Sequence, residues 1–144
     1  MRILVIDQPI IVSGISAMIG DELHVELIHA SDILNGLAAF RLRKPEVTIA
    51  GMAVNGASGL ELTRKILEID PNARVILLGM SDDPIFLGRA MEVGAHAYLK
   101  KTDDPYLLFH ALLEATVREA GSKSLPANAD ARCARLRDLR ISAG

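Results

Sequence analysis

Short apolar runs alternate along the chain with longer segments in which apolar residues recur every three or four positions. The short runs predict five β-strands, at residues 3–6, 24–28, 47–50, 75–78 and 96–99. The longer segments predict five helices, at about 10–19, 33–43, 60–69, 84–93 and 106–120. Strands that alternate with helices through short connections are typical of a parallel sheet covered on both faces. We therefore predict an α/β fold with a doubly wound, five-stranded parallel sheet.

Capping and turn residues support several of these boundaries. Asp32 offers an N-cap to the second helix, and Pro84 stands in the first turn of the fourth, where its missing N–H does no harm. Residues 51–59 are rich in Gly, Asn and Ser and are predicted to form a loop. The apolar positions of the second helix predict its buried face to be Ile33, Leu34, Leu37, Ala38 and Phe40.

Composition and charge limit the classes of function. Half of the 144 residues are apolar and the mean hydropathy is +0.27, so the chain can bury a core. A net charge of −2 predicts neither nucleic-acid nor membrane binding by the body of the protein. Cys133 has no second cysteine with which to form an internal disulfide, which fits a reducing cytoplasm. No apolar run reaches ~18 residues, so we predict no membrane span.

The character of the chain changes near residue 121. Residues 121–128 have the Gly, Ser and Pro content of a linker, and the residues after them are rich in arginine. We predict one domain, residues 1–120, followed by a linker and basic tail, residues 121–144.

The edge of the sheet where the strands end is the place to look for function, because ligands of open α/β sheets bind outside the carboxyl ends of the strands. Four pairs of residues follow the predicted strands at this edge. They are Asp7-Gln8, Gly51-Met52, Gly79-Met80 and Lys100-Lys101. Met52 and Met80 flank two glycines there, and we expect their flexible side chains to fill the space with apolar bulk.

Four stretches carry a resemblance to a known family. They are RILVIDQP at 2–9, PEVTIAGMAVNGASGLE at 45–61, RAMEVGA at 89–95 and AYLKK at 97–101. In this order and spacing they resemble the receiver domain of two-component response regulators, most like the branch that precedes a LuxR-type helix-turn-helix. The resemblance covers residues 1–120 and implies the flavodoxin-like (CheY-like) form of the predicted fold.

The resemblance also implies which positions form the site of a phosphorylated receiver. Such a site has an Asp phosphoacceptor, an acidic pair that holds Mg²⁺, a Thr or Ser and a Lys, which together stabilise the transferred phosphoryl group. By the match, Gly51 stands at the phosphoacceptor position and Gly79 at the Thr/Ser position. Lys101 matches the retained Lys, with Lys100 as the competing candidate if the strand is shifted by one residue.

The acidic pair is reduced to Asp7, and either Gln8 or Ile6 stands at the other position. A lone carboxylate holds Mg²⁺ weakly, so we expect no structural metal and no cofactor. Tyr98 matches the family's aromatic switch position. Without a Thr to bind phosphate, we expect it to be a half-buried strand residue with a solvated hydroxyl.

Three nearby residues offer substitutes for the missing groups. Ser81 could supply the lost hydroxyl, although it stands two residues further along the loop than Gly79. Asp82 or Asp83 could accept a phosphoryl group, but both precede Pro84, and we favour a role in capping the fourth helix.

The predicted function is that of an atypical receiver domain in signal transduction, which lacks the phosphoacceptor Asp and acts through protein contacts. The alternative is a phosphorelay regulator that is modified at a non-standard residue or switched by another ligand. An enzyme on a flavodoxin-like frame is the least favoured reading, because no Gly-rich phosphate loop follows the first strand. We therefore predict no enzymatic activity.

The partner surface predicted from the resemblance is the face formed by residues 84–117, used for a protein partner or for self-association. The last helix has five apolar residues, which supply more apolar surface than one side of a helix must bury. They either pack partly against a partner or belong mostly to the core. They are Leu107, Leu108, Ala111, Leu112 and Ala115. The tail is too short for a helix-turn-helix domain. We expect either a stand-alone regulator with a basic tail or a remnant or truncated start of such a domain, and no DNA binding by this chain alone.

Overall fold

The computed structural model describes residues 1–19, 25–81, 83–101 and 105–117, without the side chains of 18, 19, 105, 106, 109, 113, 116 and 117. In chain order the elements are β1 (Arg2–Ile6), α1 (Pro9–Ile19), β2 (Glu26–Ala30), α2 (Ile33–Arg43), β3 (Val47–Gly51), β4 (Ala53–Val54), β5 (Ala57–Ser58), α3 (Gly59–Ile69), β6 (Val75–Gly79), α4 (Pro84–Val93), β7 (Ala97–Lys100) and α5 (Pro105–Val117).

The main sheet has five strands in the order β2-β1-β3-β6-β7, and all of its neighbours are parallel. Its two faces carry separate apolar clusters. One cluster joins the sheet to α1 and α5, and the other joins it to α2, α3 and part of α4. The predicted doubly wound, flavodoxin-like α/β fold is therefore confirmed. Because all five strands run the same way, residues 7, 51, 79 and 101 meet at one edge.

The predicted caps of α2 and α4 are present. The Asp32 side chain accepts a hydrogen bond from the backbone N–H of Asn35, and the Asp83 side chain accepts one from that of Ile85. Pro84 opens α4, and Gly94 ends it in the left-handed conformation, with φ 99°. Each polar cap satisfies a backbone donor that the first turn of a helix leaves free.

The segment after β3 differs from the prediction, because residues 53–58 form a hairpin and not an irregular loop. β4 and β5 pair antiparallel around Asn55 and Gly56. Both turn residues have positive φ, 51° and 82°, which Asn and Gly adopt more readily than other residues. The Asn-Gly dipeptide is a strong hairpin signal, and the strands were missed because each has only two residues.

The buried face of α2 also differs from the prediction. Leu37 and Phe40 are buried as predicted, but Leu34 is 81% exposed and Ala38 is exposed. Gly36 is buried instead, against Ile6 of β1. A Cβ built on Gly36 would lie 2.6 Å from Cδ1 of Ile6. The glycine lets α2 approach the sheet closely, and this turns the helix so that positions 36, 37 and 40 face inward.

The remaining differences concern element ends and α5. β2 begins at Glu26 and ends at Ala30, two residues later than predicted, while residue 24 and residues 118–120 lie outside the described part of the chain. The five apolar residues of α5 that were proposed as contact surface are all buried in the core. Of the two alternatives that the sequence left open, core packing is therefore correct and a contact surface is not, because both the sheet and α1 cover these residues. None of the described helices is long and apolar enough to cross a membrane.

Candidate functional site

The side chain of Asp7 lies directly against Gly51 at the carboxyl edge of the sheet. Asp7 follows β1 and is fully buried, and Gly51 ends the neighbouring strand β3. A Cβ built on Gly51 would lie 2.7 Å from Oδ2 and 3.0 Å from Oδ1 of Asp7. A contact of 2.7 Å is closer than Cβ atoms ordinarily make, and 3.0 Å is already tight, so the carboxylate occupies the space that a side chain at position 51 would need.

Lys101 holds this carboxylate from the other side. Its Nζ lies 3.1 Å from Oδ2 of Asp7 and donates a hydrogen bond to Oδ1 at 3.3 Å. The Lys101 backbone N–H donates to the carbonyl of Gly79 at 2.7 Å, which continues the β6–β7 ladder by one residue and fixes where the side chain starts. Lys101, not Lys100, is therefore the lysine that reaches into the site, and its pairing with Asp7 satisfies a buried charge.

Gln8 and Ile6, the two candidates for the second acidic position, lie in different environments. Ile6 is fully buried and contacts α2, away from the edge. Gln8 is exposed at the edge, its backbone N–H donates to Oδ1 of Asp7 at 2.8 Å, and its carbonyl accepts the first hydrogen bonds of α1. Of the two, only Gln8 shares the site with Asp7.

Tyr98 fills the space beside the second glycine, Gly79. A Cβ built on Gly79 would lie 2.3 Å from the Tyr98 hydroxyl oxygen and 2.8 Å from Cε1 of its ring. The hydroxyl donates a hydrogen bond to the backbone carbonyl of Ser81 at 2.9 Å. Tyr98 is half-buried, as predicted, but its hydroxyl is bonded to protein rather than merely solvated. The prediction missed this hydrogen bond because it treated Gly79 only as a lost hydroxyl group. It did not consider that a glycine leaves space for the side chain of Tyr98.

Ser81 and Asp83, two of the three proposed substitutes for the missing groups, have other roles. The Ser81 hydroxyl accepts a hydrogen bond from the backbone N–H of Asp83 at 3.0 Å, and the Asp83 carboxylate caps α4. Asp82 lies outside the described residues. Met80 is 65% exposed, so the expectation that it fills the site is wrong, and Met52 packs against the α2–α3 cluster. The space is filled by Asp7 and Tyr98 instead.

Comparison with known proteins identifies the family of the chain. The family model described as the response regulator receiver domain matches residues 3–113. The chain belongs to the response regulator receiver domain family. It is thus a receiver domain of two-component signalling, with the strand order and site edge described above.

Individual receivers resemble the chain over most of the described part. It is 30% identical to the response regulator GacA of Pseudomonas aeruginosa over 103 residues, which cover 70% of this chain and 48% of that protein. A receiver domain from Clostridium thermocellum is 30% identical, with a TM-score of 0.75 over 82% of this chain and 95% of that one. A LuxR-family response regulator from Aurantimonas is 28% identical, with a TM-score of 0.74 over 94% and 96%. The chain spans about half the length of the curated relatives it matches.

The donor set of this receiver does not fit the Mg²⁺ ion that its family implies. Mg²⁺ prefers near-octahedral oxygen coordination with one or two carboxylates. Asp7 is the one carboxylate at the described edge; its Oδ1 already accepts from Gln8, and Lys101 lies within ion-pair distance of both oxygens. Gly51 adds no oxygen from a side chain. Within residues 1–19, 25–81, 83–101 and 105–117, no three His, Cys, Asp or Glu side chains are grouped to hold a metal.

Two residues at the rim of the receiver site were not predicted. The Asn55 side chain donates to the carbonyl of Ser31 at 2.7 Å, so the β4–β5 hairpin is tied to the loop between β2 and α2. A Cβ built on Gly59 would lie 2.1 Å from the carbonyl oxygen of Gly51, so only glycine lets α3 begin so close to the end of β3. The Asn-Gly dipeptide could have revealed the hairpin, but no local signal reveals its contact with Ser31.

Proposed function

We propose that this receiver domain signals through protein contacts without accepting a phosphoryl group at the position of Gly51. One observation carries the proposal: the spaces beside Gly51 and Gly79 are both filled by side chains of neighbouring strands. A site that had lost only its nucleophile would keep the room for phosphate. Here the room itself is used for packing.

The Asp7 side of the site supports the proposal through charge. In the family's chemistry a Lys stabilises the charge of the transferred phosphoryl group, and an acidic pair binds the cation. Lys101 is instead balanced by Asp7, and we assign Gln8 as the neutral replacement of the second acidic residue because it shares the edge with Asp7. The three residues then form a group without net charge and without a nucleophile at position 51, in which Oδ2 of Asp7 has Lys101 at ion-pair distance and accepts no hydrogen bond.

The Tyr98 side supports it through shape. At the position where the family has a Thr or Ser, Gly79 offers no hydroxyl, and the Tyr98 ring occupies the vacant volume. The bond from Tyr98 to Ser81 joins β7 to the loop that leads into α4. We therefore assign to Tyr98 a fixed inward position that holds this loop without phosphate.

The face of residues 84–117 remains the proposed surface for a protein partner, but with different residues from those the sequence suggested. The α5 residues are buried, so the contacts fall to α4, where Ile85 is 50% exposed and Arg89 and Glu92 are exposed. The longer relatives include a protein named transcriptional regulatory protein CseB, from Streptomyces avermitilis. A role in transcription regulation would rest on a DNA-binding domain beyond the described residues.

Phosphorylation with acetyl phosphate and Mg²⁺, followed by intact-mass measurement, tests the proposal. We expect no phosphoryl adduct on the wild-type chain under conditions that label a receiver with an intact Asp site, which serves as the positive control. The variant Gly51→Asp is also expected to remain unlabelled, because Asp7 occupies the space its side chain needs. An adduct on any carboxylate of the wild-type chain would contradict the proposal and support the phosphorelay alternative.

A further inference from the structure

We draw no further inference here: the strongest candidate, the exposed apolar face of α2 formed by Leu34, Ala38 and Leu42, carries none because nothing among the described residues shows what covers it.

Discussion

Gly51 and Gly79 end two neighbouring strands of the same sheet, yet their spaces are filled in different ways. Beside Gly51 lies a short, fully buried carboxylate, which is held by the Gln8 backbone and by Lys101. Beside Gly79 lies the long, neutral and half-buried side chain of Tyr98, which is held by one described hydrogen bond to Ser81. The part of the site beside Gly51 is thus held by a charge pair, and the part beside Gly79 is held by packing of the Tyr98 ring.

This difference predicts how each half responds to change. The Asp7 side chain cannot adopt another position, because its buried charge must stay paired with Lys101. The Tyr98 phenol carries no charge, so a substitution that displaces its ring costs packing and the hydrogen bond to Ser81 rather than the burial of an ion. The charged half should therefore be the more costly to disturb, and the aromatic half should be the one whose conformation can be moved by substitution.

The largest effect is expected from Lys101→Met. The substitution keeps most of the apolar stem but leaves the Asp7 carboxylate buried without a counter-ion. We expect the free energy of unfolding to fall by about 3 kcal/mol, measured by urea denaturation. The double variant Asp7→Asn, Lys101→Met removes both charges at nearly constant volume and should recover most of this loss. A single variant as stable as wild type would show that the ion pair does not hold this half.

A smaller effect, whose sign depends on the background, is expected from Gly79→Thr. In the wild-type chain the new side chain collides with the Tyr98 ring, and we expect a loss of about 1–3 kcal/mol. In a Tyr98→Ala background the collision is absent, and a β-branched residue suits a strand better than glycine does. There the same change should be neutral or should stabilise by up to about 1 kcal/mol. Equal losses in both backgrounds would mean that Tyr98 is not what Gly79 accommodates.

The smallest effect is expected from Tyr98→Phe. It keeps the ring beside Gly79 and removes the hydrogen bond to the Ser81 carbonyl. We expect the free energy of unfolding to fall by about 1 kcal/mol, because the half-buried carbonyl can find water instead. Hydrogen exchange of the backbone before α4 should rise in this variant, since the loop loses its tie to β7. Unchanged exchange would show that the bond does not position the loop.

Much of the fold could be predicted from local pattern. The alternation of apolar runs and helical segments gave all five main strands and all five helices, and Asp32 and Asp83 cap the helices where the sequence indicated. The errors fell where the answer depends on contacts between elements. Leu34 was assigned to the core because its spacing allows it, but the contact of Gly36 with Ile6 turns α2 the other way.

At the candidate site, too, local pattern predicted some features and contacts between elements decided the others. The order of residues after the strands was enough to bring Asp7, Gly51, Gly79 and Lys101 to one edge, because parallel strands end together. It was not enough to show that Met80 faces away from the site, or that Asp7 and Tyr98 fill the two glycine positions.

The sequence by itself determined the family and the edge of the sheet at which the strands end together. It also determined that positions 51 and 79 have no side chain. These results follow from residue type, spacing and the direction of parallel strands. Only the tertiary structure decided what occupies the space beside each glycine and which apolar residues are left exposed on α2. Those outcomes depend on distances of a few tenths of an ångström between residues far apart in the chain, and local pattern carries no information about them.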